Sequence, residues 1–161
     1  MSVIRSLTLA AVVIGLALGV AGSSSASASA ASATTPIAAV IAVFGSFAGA
    51  PARVNCDPVS GKVASCPITA RLRYRLEHAN ENGNILCRCQ NPPRTIHWAL
   101  QDANPFVAHV ATRWYYGPTT GRPAYTLIVT IAREADGWKV DDSICAGRPT
   151  TSIYQPPAGP C

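Results

Sequence analysis

The sequence predicts an α+β fold: two N-terminal helices packed on a four-stranded antiparallel meander, stapled by disulfides. Three observations predict it. Apolar residues recur at helical spacing between residues 36 and 79. From Arg94 onward the period changes to two. Six cysteines, an even number, follow what reads as an export leader.

The leader comes first. Met1–Arg5 is short and positive, and Leu7–Val20 ("LTLAAVVIGLALGV") is apolar. The small-residue stretch after it has A-x-A triplets at Ala26–Ala28, Ala28–Ala30 and Ala31–Ala33. That order is the pattern of a secretory signal peptide. The apolar run falls short of the ~20 residues that span a bilayer, so it reads as a leader and not an anchor. No cysteine follows the run, which excludes a lipid-attached precursor of the lipobox kind. The reading is a signal peptide and linker over 1–33, one domain over 34–145, and a Pro-rich C-terminal arm over 146–161. Secretion follows, with no membrane contact after cleavage.

Without Arg5, 12 basic residues face 8 acidic ones in a chain of 161, an excess of +4. The excess is scattered, which suits a solvated basic surface. Arg71-x-Arg73-x-Arg75 is its one cluster. Three arginines in an exported protein do not argue for nucleic acid.

Thr35-Pro36 caps and opens the first helix, and Ile37, Val40, Ile41, Phe44 and Phe47 give its stripe. Gly49-Ala50-Pro51 ends it. Val54–Pro67 is a turn-rich loop with Cys56 and Cys66 near its ends, so these two should pair locally. Pro67 is expected to open the second helix, with Ile68, Leu72, Leu76 and Ala79 on its apolar stripe. Asn82-Gly83 should stop it. Strands are then expected over 94–101, 106–116, 124–134 and 138–145. Asp136-Gly137 marks a tight hairpin. Short turns between consecutive strands make an antiparallel meander, and helices followed by strands make an α+β domain.

The pieces "PIAAVIAVFGSF", "ILCRCQNPP" and "DGWKVDDSIC" together resemble the nuclear-transport-factor-2-like (cystatin-like) superfamily of curved α+β rolls. More narrowly, they resemble secreted bacterial members of unknown function. The resemblance covers Thr35 to Cys145. It implies a sheet curled around a pocket mouth that the helices plug. It implies no single activity, because the fold hosts isomerases, cyclases, dehydratases, carriers and pure binding modules. The first helix has Phe44-Gly45 where a Phe-Tyr pair is usual, so no catalytic residue is carried across.

Within such a roll, His97, His109, Arg113, Tyr115 and Asp142 are the candidate pocket residues. His109 or Asp142 would act as general base, with Tyr115 or Arg113 stabilising an oxyanion. The plainer reading has Asp142 paired with an arginine such as Arg113, and His109 on the solvent face. The aromatic run Trp114-Tyr115-Tyr116 beside loop 117–123 is either a binding patch or core packing. No metal is expected, since neither C-x-x-C nor H-x-x-x-H occurs, and no cofactor motif is present. The expected function is a non-enzymatic exported module that binds a small molecule or an extracellular protein through the pocket or the strand-loop edge. Alternatives are a pocket enzyme of isomerase or cyclase type, and an inhibitor or immunity-like protein. A second copy of the chain is a further candidate partner.

The remaining cysteines are Cys87, Cys89, Cys145 and Cys161. If "ILCRCQNPP" is extended, Cys87 and Cys89 face the same side and Arg88 the other. A bond between them would close a very tight ring, strained and easily reduced, which a redox pair would need, whereas a staple needs distant partners. The expectation is therefore Cys89–Cys145 and Cys87–Cys161, sewing the first strand, the last strand and the arm together.

Overall fold

A computed structural model describes residues 32–51, 55–79, 84–147, 152–155 and 161. The predicted signal peptide and the Asn82-Gly83 stop lie outside the described residues.

Helix α1 spans Pro36–Phe44. The Thr35 hydroxyl accepts the Ala38 N–H, and Pro36 sits in the first turn, where no N–H is needed. A 3₁₀ turn, Gly45–Ala48, continues it until Gly49 ends the run in the left-handed conformation. Val40, Val43 and Phe44 are fully buried against the sheet.

Helix α2 spans Ala70–His78, three residues later than the Pro67 start expected from sequence. Ile68 pairs with Val140 in a short parallel bridge instead. The N–H of Val140 donates to the Pro67 carbonyl, and that of Thr69 to the Val140 carbonyl. Thr69 then caps the helix by accepting the Leu72 N–H. Sheet pairing satisfies these backbone groups before the helix begins.

The sheet contains β1 (Thr95–Ala103), β2 (Val107–Tyr115), β3 (Tyr125–Glu134) and β4 (Gly137–Cys145), antiparallel in the order β1-β2-β3-β4. Helix α1 packs against all four strands. The helix-facing side carries Ala108, Val110, Thr112 and Trp114 from β2, and Leu127, Val129 and Ile131 from β3. All of these are fully buried. Phe44 and Phe47 meet the Trp114 ring at 6.1 and 5.9 Å, and Trp114 stacks on Tyr125 at 5.3 Å. Each such side chain contributes about 1.5–3 kcal/mol by leaving water. The Trp114 indole N–H is satisfied by Thr112 Oγ1 at 2.8 Å. Aromatic rings therefore fill the space between these strands and α1.

In β4 the period-2 pattern breaks. Thr130 pairs with Asp142, but Ile131 pairs with Val140, so one extra residue bulges out. Beyond the bulge Ser143 and Cys145 face the core, and not Asp142 and Ile144. The bulge also reorganises the C-terminal arm. Asp142 accepts from the Ser152 hydroxyl (2.7 Å) and the Ile153 N–H (3.2 Å), and the Tyr154 hydroxyl donates to the Asp141 carbonyl (2.7 Å). Ile153 is fully buried. Part of the arm, expected to be tied down only through Cys161, is thus also docked on the sheet.

Three cysteine pairs lie at disulfide distance: Cys56–Cys66, Cys87–Cys89 and Cys145–Cys161. The local Cys56–Cys66 pairing is as the sequence predicts. The expected Cys89–Cys145 and Cys87–Cys161 pairs are not formed. The cause is local backbone. Residues Asn84–Cys87 form a single helical turn (α3), and Arg88 follows at φ 52°. An extended i, i+2 pair would stand about 6.6 Å apart; the left-handed residue brings the two Cα atoms to 5.2 Å. By loop length, the Cys87–Cys89 ring restrains the unfolded chain by only about 1.5 kcal/mol, against about 3 kcal/mol for each of the other two.

Candidate functional site: the cavity beside Arg88

The residues expected to form one pocket do not converge. His97, His109, Arg113 and Tyr115 lie on the sheet face away from the helices, because it is their even-numbered neighbours on β2 and β1 that pack on α1. His97 and Arg113 are cross-strand partners, and the His97 ring lies 5.1 Å from that of Tyr115. His109 Nδ1 contacts Asp102 at 2.7 Å. Asp142, expected to point inward among apolar side chains, instead holds the arm. Its hydrogen-bond partners among the described residues are Ser143, Ser152 and Ile153, and not Arg113. The aromatic run splits: Trp114 joins the core, Tyr115 covers the opposite face, and Tyr116 is exposed.

The arginine cluster is committed too. Arg71 pairs with Asp141 and lies over the Tyr154 ring. Arg73 donates to the carbonyls of Val63, Ala64 and Cys66. Arg75 donates to the Ile153 carbonyl at 3.2 Å. These side chains fasten loops to α2, while the Arg71 side chain stays 62% exposed and keeps part of the solvated basic surface expected there.

What the fold does assemble is a site around Arg88. Helix α3 is pinned at its end by two strand residues: Ser143 Oγ donates to the Leu86 carbonyl (2.9 Å) and Tyr125 OH to the Cys87 carbonyl (3.3 Å). Two residues past the disulfide, Tyr116 OH donates to the Asn91 carbonyl (3.1 Å). The chain between them must turn sharply, and Arg88 makes the turn in a conformation that costs a non-glycine residue about 1–2 kcal/mol.

Arg88 is only 3% exposed. Its Nη1 has one weak contact, Cys145 Sγ at 3.6 Å. Its Nε and Nη2 are buried without a hydrogen-bond partner among the described residues. Burial lowers the guanidinium pKa, and the charge of Asp142 only partly opposes this. No carboxylate lies within ion-pair distance of it among the described residues. Buried donors of this kind are rare in folded proteins, and each needs a physical account.

Arg88 lines an open cavity of about 340 Å³, with Cys89, Gln90, Asn91, Tyr116, Ala124, Tyr125 and Cys161 as the other walls. The volume is in the lower range of small-molecule pockets. Burial holds the Tyr125 phenol far above its ordinary pKa, with Tyr116 adding to the effect, so it stays a neutral donor. On the other side of Cys89–Asn91 lies a smaller cavity of about 110 Å³, bounded by Ser46, Phe47, Val59 and Pro92. The buried Ser46 Oγ there also lacks a partner among the described residues. Chemically, the larger cavity presents one cation, two phenol rings and two side-chain amides.

Sequence reasoning placed Arg88 among scattered surface charges. A signal was present: it is the one charge in "ILCRC", flanked by apolar residues and cysteines. A run of that composition is core material, and a charge inside it is the informative exception. No protein-family model, curated protein or solved structure matches this chain.

Proposed function

We propose that this chain is an exported, disulfide-stapled binding module whose site is the cavity beside Arg88, and that it takes a small molecule bearing a carboxylate. The observation that carries the proposal is Arg88: buried, without an ion-pair partner among the described residues, and lining an open cavity walled by Tyr116 and Tyr125. A desolvated guanidinium with two unsatisfied donors suits a carboxylate, held through two parallel hydrogen bonds; Nε and Nη2 are sealed beneath the cavity wall, so binding requires that wall to open over them. The tyrosine rings supply flat apolar walls for the rest of the ligand. The site opens at the β2–β3 loop, which is the strand-loop edge. The leader pattern and the three cysteine pairs support an extracytoplasmic setting. Among the described residues no helix is long and apolar enough to cross a membrane. The order of two longer helices and a four-stranded meander supports the cystatin-like roll as its fold family.

Calorimetric titration with benzoate tests this. The wild type should bind it above a sodium chloride control at equal ionic strength, and Arg88→Gln should lose at least tenfold in affinity. Equal binding by both proteins, or none by the wild type, would reject the reading.

A further inference from the structure

The same cavity is walled in part by one half of a cysteine pair. Cys89 lines both cavities and is 7% exposed, whereas Cys87 is fully buried. The Cys89 backbone N–H donates to Cys87 Sγ at 3.2 Å. The two halves of this pair are therefore unequal: Cys89 borders both cavities, whereas Cys87 borders neither and its sulfur is held by a donor that suits negative charge. The Arg88 guanidinium sits between them in the chain and has no carboxylate within ion-pair distance among the described residues.

We infer that Cys87–Cys89 is a thiol–disulfide exchange centre whose substrate is a small thiol that also carries a carboxylate. The inference rests on the binding reading above, since Arg88 would hold that carboxylate. The step is an in-line displacement. The substrate thiolate attacks Cys89 Sγ, and a new S–S bond forms between substrate and Cys89. The Cys87–Cys89 bond breaks, and its electron pair leaves on Cys87 Sγ. There the Cys89 N–H stabilises the thiolate until it takes the proton the substrate thiol gave up. Oxidation state is conserved: one disulfide and one thiol enter, one mixed disulfide and one thiol leave. Return attack by Cys87 reverses the step, and no external oxidant is needed. Two features support a reactive role. The ring is short, so it adds little restraint as a staple. A local cation raises the concentration of an anionic nucleophile at the site.

The test uses the intact oxidised protein with two thiols, mercaptoacetate (anionic) and 2-mercaptoethanol (neutral). Reactions are quenched by alkylation and mapped by mass spectrometry. The expected product is a mixed disulfide on Cys89 with an alkylated Cys87. Corrected for thiolate fraction, mercaptoacetate should react about tenfold or more faster than mercaptoethanol. Benzoate should slow mercaptoacetate and not mercaptoethanol. Arg88→Lys should keep much of the preference, and Arg88→Gln should abolish it. Adducts on Cys87, first reaction at Cys56–Cys66 or Cys145–Cys161, or equal rates for the two thiols would each overturn the inference. If benzoate binds but Cys89 forms no adduct, exchange fails and the binding reading stands. If benzoate does not bind either, both fail.

Discussion

At the scale of single residues, three positions carry more than their type suggests. Gly137 has φ 130°, and a Cβ there would lie 2.8 Å from the Ala33 carbonyl oxygen and 2.9 Å from Ser32 Oγ. Gly137→Ala should therefore cost about 1–3 kcal/mol, read as a fall in the denaturation midpoint. An unchanged midpoint would show that the N-terminal segment does not run past β4 as described. Asp-Gly was legible in the sequence as a hairpin signal, but the close passage of residues 32 and 33 was not, since it depends on chain far away in sequence. Tyr154 is the second position. Burial pushes its phenol up to about 12, with Asp141 adding to the effect. A raised folded-state pKa means that the stability it contributes is complete below about pH 10, the unfolded value. That stability is lost as pH rises from about 10 to about 12. Tyr154→Phe removes the titrating group, so its stability should fall less across that window than that of the wild type. Parallel losses would contradict the assignment. Arg88 is the third, invisible to a periodicity argument because it lies in a turn. Its burial arises from the fold around α3 and not from any repeat.

At the scale of elements, the four strands were legible because β-branched residues alternate cleanly and short turns separate them. Expected and observed bounds differ by no more than two residues at any end. What alternation could not show was which face of β2 meets α1, or the bulge at Asp141–Asp142. One extra residue reverses every facing beyond it, and this moves Asp142 from the expected pocket to the arm. Helix α2 began late because Ile68 found a partner in β4, a long-range pairing that local capping signals do not contain. The segment Ser32–Ala33 acts as a short strand-like tie: Ala33 is 4% exposed, and its carbonyl accepts the Trp138 N–H at 2.9 Å. Cleavage after Ala33 would remove that acceptor. If the chain is exported as we propose, N-terminal sequencing of the secreted protein should therefore give a start no later than Ser32, which fits cleavage after Ala28 or Ala30. A start at Thr34 would contradict this.

At the scale of the whole molecule, the architecture follows from composition and period, but the disulfide pattern does not. Six cysteines allow 15 pairings, and geometry for an extended segment chose a different one from the turn that forms. Removing each bond separately should reveal an unequal division of labour. Replacing Cys145 and Cys161 by alanine should cost about 3 kcal/mol in chemical denaturation, and replacing Cys87 and Cys89 about half that. The small core is otherwise continuous from Phe44 through Trp114 to Tyr125, and it ends where the open cavity begins. A buried, left-handed arginine with no ion pair among the described residues costs the domain stability, and the proposed site would account for that cost. Thermal unfolding of the wild type and Arg88→Asn, each with and without benzoate, measures this most directly. Asparagine tolerates the left-handed backbone and buries no charge. The account predicts that Arg88→Asn melts at or above the wild type in plain buffer, and that benzoate raises the melting temperature of the wild type alone. If Arg88→Asn melts several degrees lower and benzoate shifts both proteins equally, Arg88 is a structural arginine and the site is not there.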